Sequence, residues 1–385
     1  MNFSRPSLHA AVVSAPAHQT LVREKLSSIL KARVQIAGEA AAPAGTAVTI
    51  PLTTVSLASN FDASISIRFR GAPADALIPL WVDSGNSTLI VPDYDSLAQL
   101  PNFDANYAKL AEGVREPWGC PANILRGDID IPTQSGGTYT LPGCVFYACT
   151  GVNGNGDRTG NFGTGWVSPW PTAGAITMQP PLSYNTAYPF AEFNYAPAAT
   201  VMSTASEPKV SEGSSLIVSQ AMPQGYQLFN ILRGLAWMSL TPRSLGIGGT
   251  TTKWPGDVAS PIAMVDTGGG PVFLSDPDGC VYATAWPEQV PSPTWTSNGS
   301  VSCQSVKDNL TIAIGDEHNS FSYQIDTASL PDSVQGLTLV MFEECSYMMG
   351  NQGMNIGGLS ALFLDILIDY GAGRVGFKSK QAPAV

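Results

Sequence analysis

Histidine is nearly missing from this chain, which has only His9, His18 and His318 in 385 residues. With imidazoles so few and no cysteines at zinc-ligand spacing, neither a metal nor another cofactor is expected. Charge is also sparse, at 13% of residues, and its balance is acidic, with 30 Asp and Glu against 19 Lys and Arg for a net −11. A surface so short of cations cannot neutralise phosphates, so nucleic acid is not an expected partner. Long apolar runs are absent too. No stretch approaches the ~18 residues of a membrane helix, and the most apolar segment, "GGLSALFLDILIDYGAG", is broken by Asp365 and Asp369. The run from Ala10 to Ala17 ends in Ala-Pro-Ala but lacks leucine and has little basic lead-in beyond Arg5, so it makes a poor signal peptide.

What is present points to strands. Apolar residues make up 44%, enough for a sizeable core, and the 38 glycines and 30 prolines favour short strands and turns over long helices. The length suits two domains. Residues 1–45 stand apart as a leader, with helix-like spacing of Leu21, Leu26, Ile29, Leu30 and Val34 followed by a linker, "EAAAPAGTA". They are expected to form a surface helix or tail, with a basic strap across an acidic cleft as the alternative. Residues 95–113 read as polar and helical, "NILRGDIDIP" and "TYTLPGCVFYACT" as a hairpin pair, and residues 150–212 as long loops. Sequons at Asn2, Asn86, Asn298 and Asn309 carry little weight, because such triplets arise often by chance. The six cysteines permit three bridges, and Cys144 and Cys149 are close enough in sequence to join across a small loop.

The chemistry centres on two turns of one design, Asp83-Ser84-Gly85 and Asp266-Thr267-Gly268, 183 residues apart (266 − 83). Each follows an apolar strand, in "LIPLWVDSGNSTLIVP" and "SPIAMVDTGGGPVFLSDP". Like turns in two halves suggest two lobes that each push one carboxylate into a shared cleft. Carboxylates at close range tend to share a proton, and such a pair can act as acid and base together.

Longer matches surround the turns. "ASISIRFRGAPADALIPLWVDSGNSTLIVPDY" and "IAMVDTGGGPVFLSDP" resemble the two catalytic segments of the pepsin-like aspartic proteases, and "MNIGGLSALFLDILIDYGAGRVGF" resembles their C-terminal signature. "NILRGDIDIP" resembles the strand after the flap, and "GNFGTGW" sits where the N-terminal counterpart of "NIGG" is expected. The resemblance covers roughly residues 46–380. It implies an all-β, bilobal fold with few short helices, an N-terminal lobe over 46–205 and a C-terminal lobe over 206–385.

By that resemblance Asp83 and Asp266 are the catalytic dyad of an aspartic endopeptidase. Gly85 and Gly268 let backbone N–H groups approach the carboxylates, and Ser84 and Thr267 brace the two loops. Trp118 and Gly119 take the flap position, and Ile90, Ile124, Val272 and Phe273 are candidate pocket residues. Cys303 and Cys345 match the family's C-terminal bridge, while Cys120 and Cys280 have no assignment. A monomer with a peptide or small molecule held between the lobes is implied. Bridges would mean a secreted or lumenal location, and the poor leader leaves a cytoplasmic one open.

Three positions depart from the family. A hydroxyl residue usually follows each Asp-Thr/Ser-Gly and bonds the outer carboxylate oxygen, but here Asn86 and Gly269 stand there. Asn86 keeps an amide donor, whereas Gly269 has no side chain, so Asp266 is expected to lose a partner unless a water replaces it. The flap tyrosine is replaced by Trp118. These changes keep two alternatives in view: carboxylate acid–base chemistry on a small molecule, or a silent binding or inhibitor protein on the same scaffold.

Overall fold

In the strand Asn60–Phe69, Ala63, Ile65, Ile67 and Phe69 are buried while Ser64, Ser66 and Arg68 between them are partly exposed. A period of two is what a strand with one face on the core requires. Each large apolar side chain so buried contributes about 1.5–3 kcal/mol. The structure, a computed structural model, describes residues 47–57, 60–153, 160–167, 172–196, 213–235, 237–253, 262–268, 272–275, 309–326, 340–343 and 353–380. The expected leader, Gly269, Cys280 and the Cys303–Cys345 bridge lie outside them. Ala44 onward forms one compact unit.

Three sheets carry most of its strands. The first has eight strands in the order Thr53–Leu57, Asn60–Phe69, Ile78–Asp83, Asn161–Gly163, Leu89–Val91, Thr138–Cys149, Pro121–Pro132 and Tyr107–Arg115. A further pairing of Arg68 with Asp130 and Phe69 with Ile129 folds part of this sheet back on itself. The second runs Ser320–Ile325, Leu310–Gly315, Ser239–Ile247, Ile262–Met264, Gly353–Asn355, Val272–Ser275 and Val340–Glu343, with Thr250–Lys253 added beside Ser239–Ile247. The third has six strands drawn from distant parts of the sequence: Ala47–Pro51, Ser215–Ser219, Phe190–Asn194, Leu364–Asp369, Arg374–Ser379 and Gln227–Asn230.

The protein is all-β in class. Among the described residues the helices are short: Tyr94–Ala98, Phe103–Asn106, Gly357–Ser360 and a 3-10 turn at Pro181–Tyr184. Asp93 starts the first of these by accepting from the backbone N–H groups of Asp95 and Ser96, which satisfies donors the helix itself cannot.

The structure corrects three local expectations. The helical reading of 95–113 holds only to Asn106, because Tyr107–Arg115 is a strand paired with Pro121–Pro132. Cross-strand pairing there outweighs polar composition. The loop-rich stretch 150–212 contains the short strands Asn161–Gly163 and Phe190–Asn194. Cys144 and Cys149 lie on one continuous strand, Thr138–Cys149. At about 3.3 Å per residue they stand roughly 16 Å apart, beyond any disulfide. Cys144 is a buried thiol whose pKa is raised by burial.

Candidate active site

The two aspartates emerge from one four-strand arrangement built twice. In the first half, Ile78–Asp83 pairs in parallel with Asn161–Gly163, which pairs antiparallel with Leu89–Val91, which pairs in parallel with Thr138–Cys149. In the second half, Ile262–Met264 pairs in parallel with Gly353–Asn355, which pairs antiparallel with Val272–Ser275, which pairs in parallel with Val340–Glu343. The registers also agree. Asn161 lies opposite Trp81, two residues before Asp83, and Asn355 lies opposite Met264, two before Asp266. On its other side Asn161 faces Ile90 and Asn355 faces Phe273, each seven residues after the aspartate (90 − 83 and 273 − 266).

This framework gives both carboxylates the same partners. Asp83 accepts from the Gly85 N–H on Oδ1 at 2.7 Å and from Asn161 Nδ2 on Oδ2 at 2.9 Å. Asp266 accepts from the Gly268 N–H on Oδ1 at 3.0 Å and from Asn355 Nδ2 on Oδ2 at 2.7 Å. Asp83 is buried and Asp266 partly exposed. Burial, then the Asp266 charge and a side-chain hydrogen bond with Asp266, hold the Asp83 carboxyl well above the usual aspartate range, against the lowering pull of Asn161 and Gly85.

The two turns are braced on each other. The Ser84 N–H donates to Thr267 Oγ1 at 3.1 Å, the Thr267 N–H donates to Ser84 Oγ at 2.8 Å, and Ser84 Oγ donates to the Val265 carbonyl at 2.9 Å. All three bonds are buried. Each glycine sits against the opposite aspartate. A Cβ on Gly85 would stand 2.6 Å from Asp266 Oδ1, and one on Gly268 would stand 2.7 Å from Asp83 Cγ. Glycine is needed in both turns because two backbones and two carboxylates share this space.

Asn161 and Asn355 are the site residues that the sequence reading misses. The signal was present in "GNFGTG" and "NIGG", an Asn-apolar-Gly in each half. The expected loss of a partner at Asp266 does not occur, because Asn355 supplies the donor. Asn86, expected to donate to the carboxylate itself, stands one step back: its Nδ2 donates to Asn161 Oδ1 at 2.9 Å and its Oδ1 accepts from the Thr88 N–H and Oγ1 at 3.1 Å each.

Strands Tyr107–Arg115 and Pro121–Pro132 form a hairpin with Trp118 and Gly119 at its tip. Glu116 shapes the tip: its buried carboxylate accepts from the N–H groups of Trp118 at 2.8 Å and Cys120 at 2.6 Å. Gly119 takes φ +93, which favours glycine. Trp118 is 39% exposed, unusual for so large an apolar ring. Ile90 and Ile124 are fully buried in the cluster beneath the hairpin with Cys120, Ala122, Val145 and Tyr147. Val272 is buried in the main core. These three pack the site's frame, and none reaches solvent. Phe273 lies on the strand Val272–Ser275.

Among the described residues no group of three His, Cys, Asp or Glu is placed to hold a metal ion, and no helix is long and apolar enough to cross a membrane. In comparisons with known proteins, no family model matches the chain and no curated protein matches its sequence.

Proposed function

We propose that the chain is a pepsin-like aspartic endopeptidase. In this reading the two eight-stranded sheets centre two lobes, the six-stranded sheet joins them, and the substrate lies between. The observation that carries the proposal is the matched environment of Asp83 and Asp266: two carboxyl groups, each held by a glycine N–H and an asparagine amide, on turns that brace one another.

The chemistry follows from one proton shared by the pair. The ionised carboxyl takes a proton from a water as the water oxygen bonds to the scissile carbonyl carbon. The protonated carboxyl gives its proton to the carbonyl oxygen. The carboxyl that took the water's proton then passes it to the amide nitrogen. A hydroxyl of the tetrahedral intermediate returns its proton to the other carboxylate as the C–N bond breaks, and the carboxyl pair regains its starting charge. The raised Asp83 pKa favours a protonated member at mildly acid pH. The exposed Trp118 offers an apolar face and one N–H donor to a substrate backbone.

The test is cleavage of denatured protein across acid pH, with and without pepstatin, beside Asp83→Asn and Asp266→Asn. Pepstatin-sensitive cleavage lost in both variants is expected. Intact substrate after long incubation throughout that range would overturn the proposal.

A further inference from the structure

We infer that Asn161 and Asn355 are positioning residues that fix the hydrogen-bond polarity at both outer ends of the dyad, holding Oδ2 of Asp83 and Oδ2 of Asp266 as acceptors. The inference rests on the reading of these aspartates as a working pair and adds what governs their proton.

The geometry sets each amide's orientation from a group that can only donate. In the first half that group is the Thr88 N–H, which requires the oxygen of Asn86 to face it, at 3.1 Å. The Asn86 nitrogen is thereby turned to Asn161 Oδ1 at 2.9 Å, and the Asn161 nitrogen to Asp83 Oδ2 at 2.9 Å. In the second half the Gly357 N–H donates to Asn355 Oδ1 at 2.9 Å, which turns the Asn355 nitrogen to Asp266 Oδ2 at 2.7 Å. Both relays start at backbone and run one way.

A carboxamide nitrogen has no lone pair to offer, whereas a serine or threonine hydroxyl can rotate and either donate or accept. A proton on Oδ2 directed at either asparagine would therefore meet an N–H head-on. The inner oxygens each accept one backbone N–H, from Gly85 at 2.7 Å and from Gly268 at 3.0 Å, and both lie within 3.0 Å of the point where a Gly85 Cβ would stand, on the side where the two carboxyl groups approach. Among the described residues, the ionisable groups acting on Asp83 are Asp266 and Tyr195. Burial pushes the Tyr195 hydroxyl up, so it stays neutral throughout the acid range.

The experiment follows the aspartate carboxyl carbons of the full-length, 13C-labelled protein by NMR during a pH titration, with Asp83→Asn and Asp266→Asn to assign the signals. Removing a donor that stabilises the ionised form should raise the pair's lower midpoint. In Asn161→Ala and Asn355→Ala the expected rise is about one pH unit each, the tenfold change in proton affinity for one charge-assisted amide bond. Asn86→Ala touches neither carboxylate and releases only the relay, so it should shift the same midpoint in the same direction by less. That shift separates positioning from mere packing and keeps the test open should Asn161→Ala not fold. Unchanged midpoints in the folded variants, or a neutron structure with a carboxyl deuterium directed at either asparagine nitrogen, would overturn the inference. Shifted midpoints in a protein that cleaves nothing would remove the hydrolytic reading alone. Cleavage with unshifted midpoints would remove this inference alone.

Discussion

Adding one methyl group at Gly85 should split the dyad. The new Cβ would lie 2.6 Å from Asp266 Oδ1, 2.7 Å from Asp266 Cγ and 3.0 Å from Asp83 Oδ1. Ordinary carbon contacts begin near 3.5 Å, so one group must retreat by roughly 0.8 Å. Asp266 is tied to the Gly268 N–H and to Asn355 Nδ2, and cannot retreat without stretching both bonds. Overpacking of this kind costs about 1–3 kcal/mol of stability. A displacement approaching 1 Å at reacting atoms costs roughly a hundredfold in rate. Gly268→Ala is the mirror case, with its Cβ 2.7 Å from Asp83 Cγ and Oδ1, and should carry a similar penalty. The assays are kcat/KM on denatured protein at acid pH and thermal unfolding by circular dichroism. Gly136→Ala is the control: at φ +81 with nothing within 4 Å, it should lose about 1–2 kcal/mol to backbone strain and keep its kcat/KM. Wild-type rate and unfolding temperature in either Gly85→Ala or Gly268→Ala would refute the crowding argument.

Other perturbations read separate parts of the molecule. Asp83 has a pKa near 3.8 when unfolded and well above that when folded, so between those values the folded chain holds more protons and stability falls as pH rises. Asp83→Asn removes that dependence: its melting temperature should match wild type in strong acid and exceed it near neutral pH, and a variant less stable than wild type at neutral pH would contradict the sign. Tyr370→Phe deletes the buried 2.6 Å bond from the Tyr370 hydroxyl to the Thr164 carbonyl and should cost about 1–3 kcal/mol in urea unfolding. A loss below 0.5 kcal/mol by the same measurement would mean that the carbonyl finds another donor. Glu116→Ala frees the N–H groups of Trp118 and Cys120, so limited proteolysis should cut the hairpin tip faster than in wild type while the global melt shifts little. Equal cutting rates would show that the turn holds its shape without the carboxylate.

The legible part of the site was the part written locally. Asp83 and Asp266 were found because each triplet sits beside its own apolar strand, whereas Trp118 was singled out only by the resemblance to a flap, since one of its flanking strands, Tyr107–Arg115, reads as polar and helical. Asn161 and Asn355 stayed hidden because their role comes from parallel pairing across long separations, which no local pattern records. They reach the aspartates only because Asn161–Gly163 and Gly353–Asn355 are inserted beside the strands that lead into them. Within the fold, alternation exposed strands such as Asn60–Phe69. Strands of two or three residues inside glycine-rich stretches were invisible, since so short a segment shows no period. Ile90 and Ile124 show a different limit: apolar character places a residue out of water, and only the packed structure separates a pocket wall from the core behind it.

The six-stranded sheet has a consequence for how the molecule is made. It pairs Ala47–Pro51 with Ser215–Ser219, and Phe190–Asn194 with Leu364–Asp369, which in turn holds Arg374–Ser379. Its first strand waits for partners synthesised more than 160 residues later (215 − 51 = 164). Phe190–Asn194 pairs early with Ser215–Ser219 on one edge, but its other edge waits still longer, for Leu364–Asp369 (366 − 193 = 173). Pairing over such separations is slow and leaves strand edges open while it proceeds. A nascent chain released early would carry Asp83, its turn and the whole first eight-stranded sheet, yet no second carboxylate, no brace at Ser84 and an uncovered edge at Phe190–Asn194. The braced pair of aspartates is therefore completed only after residue 268 has been made, and the exposed edge of Phe190–Asn194 stays open to other nascent chains until Leu364–Asp369 arrives.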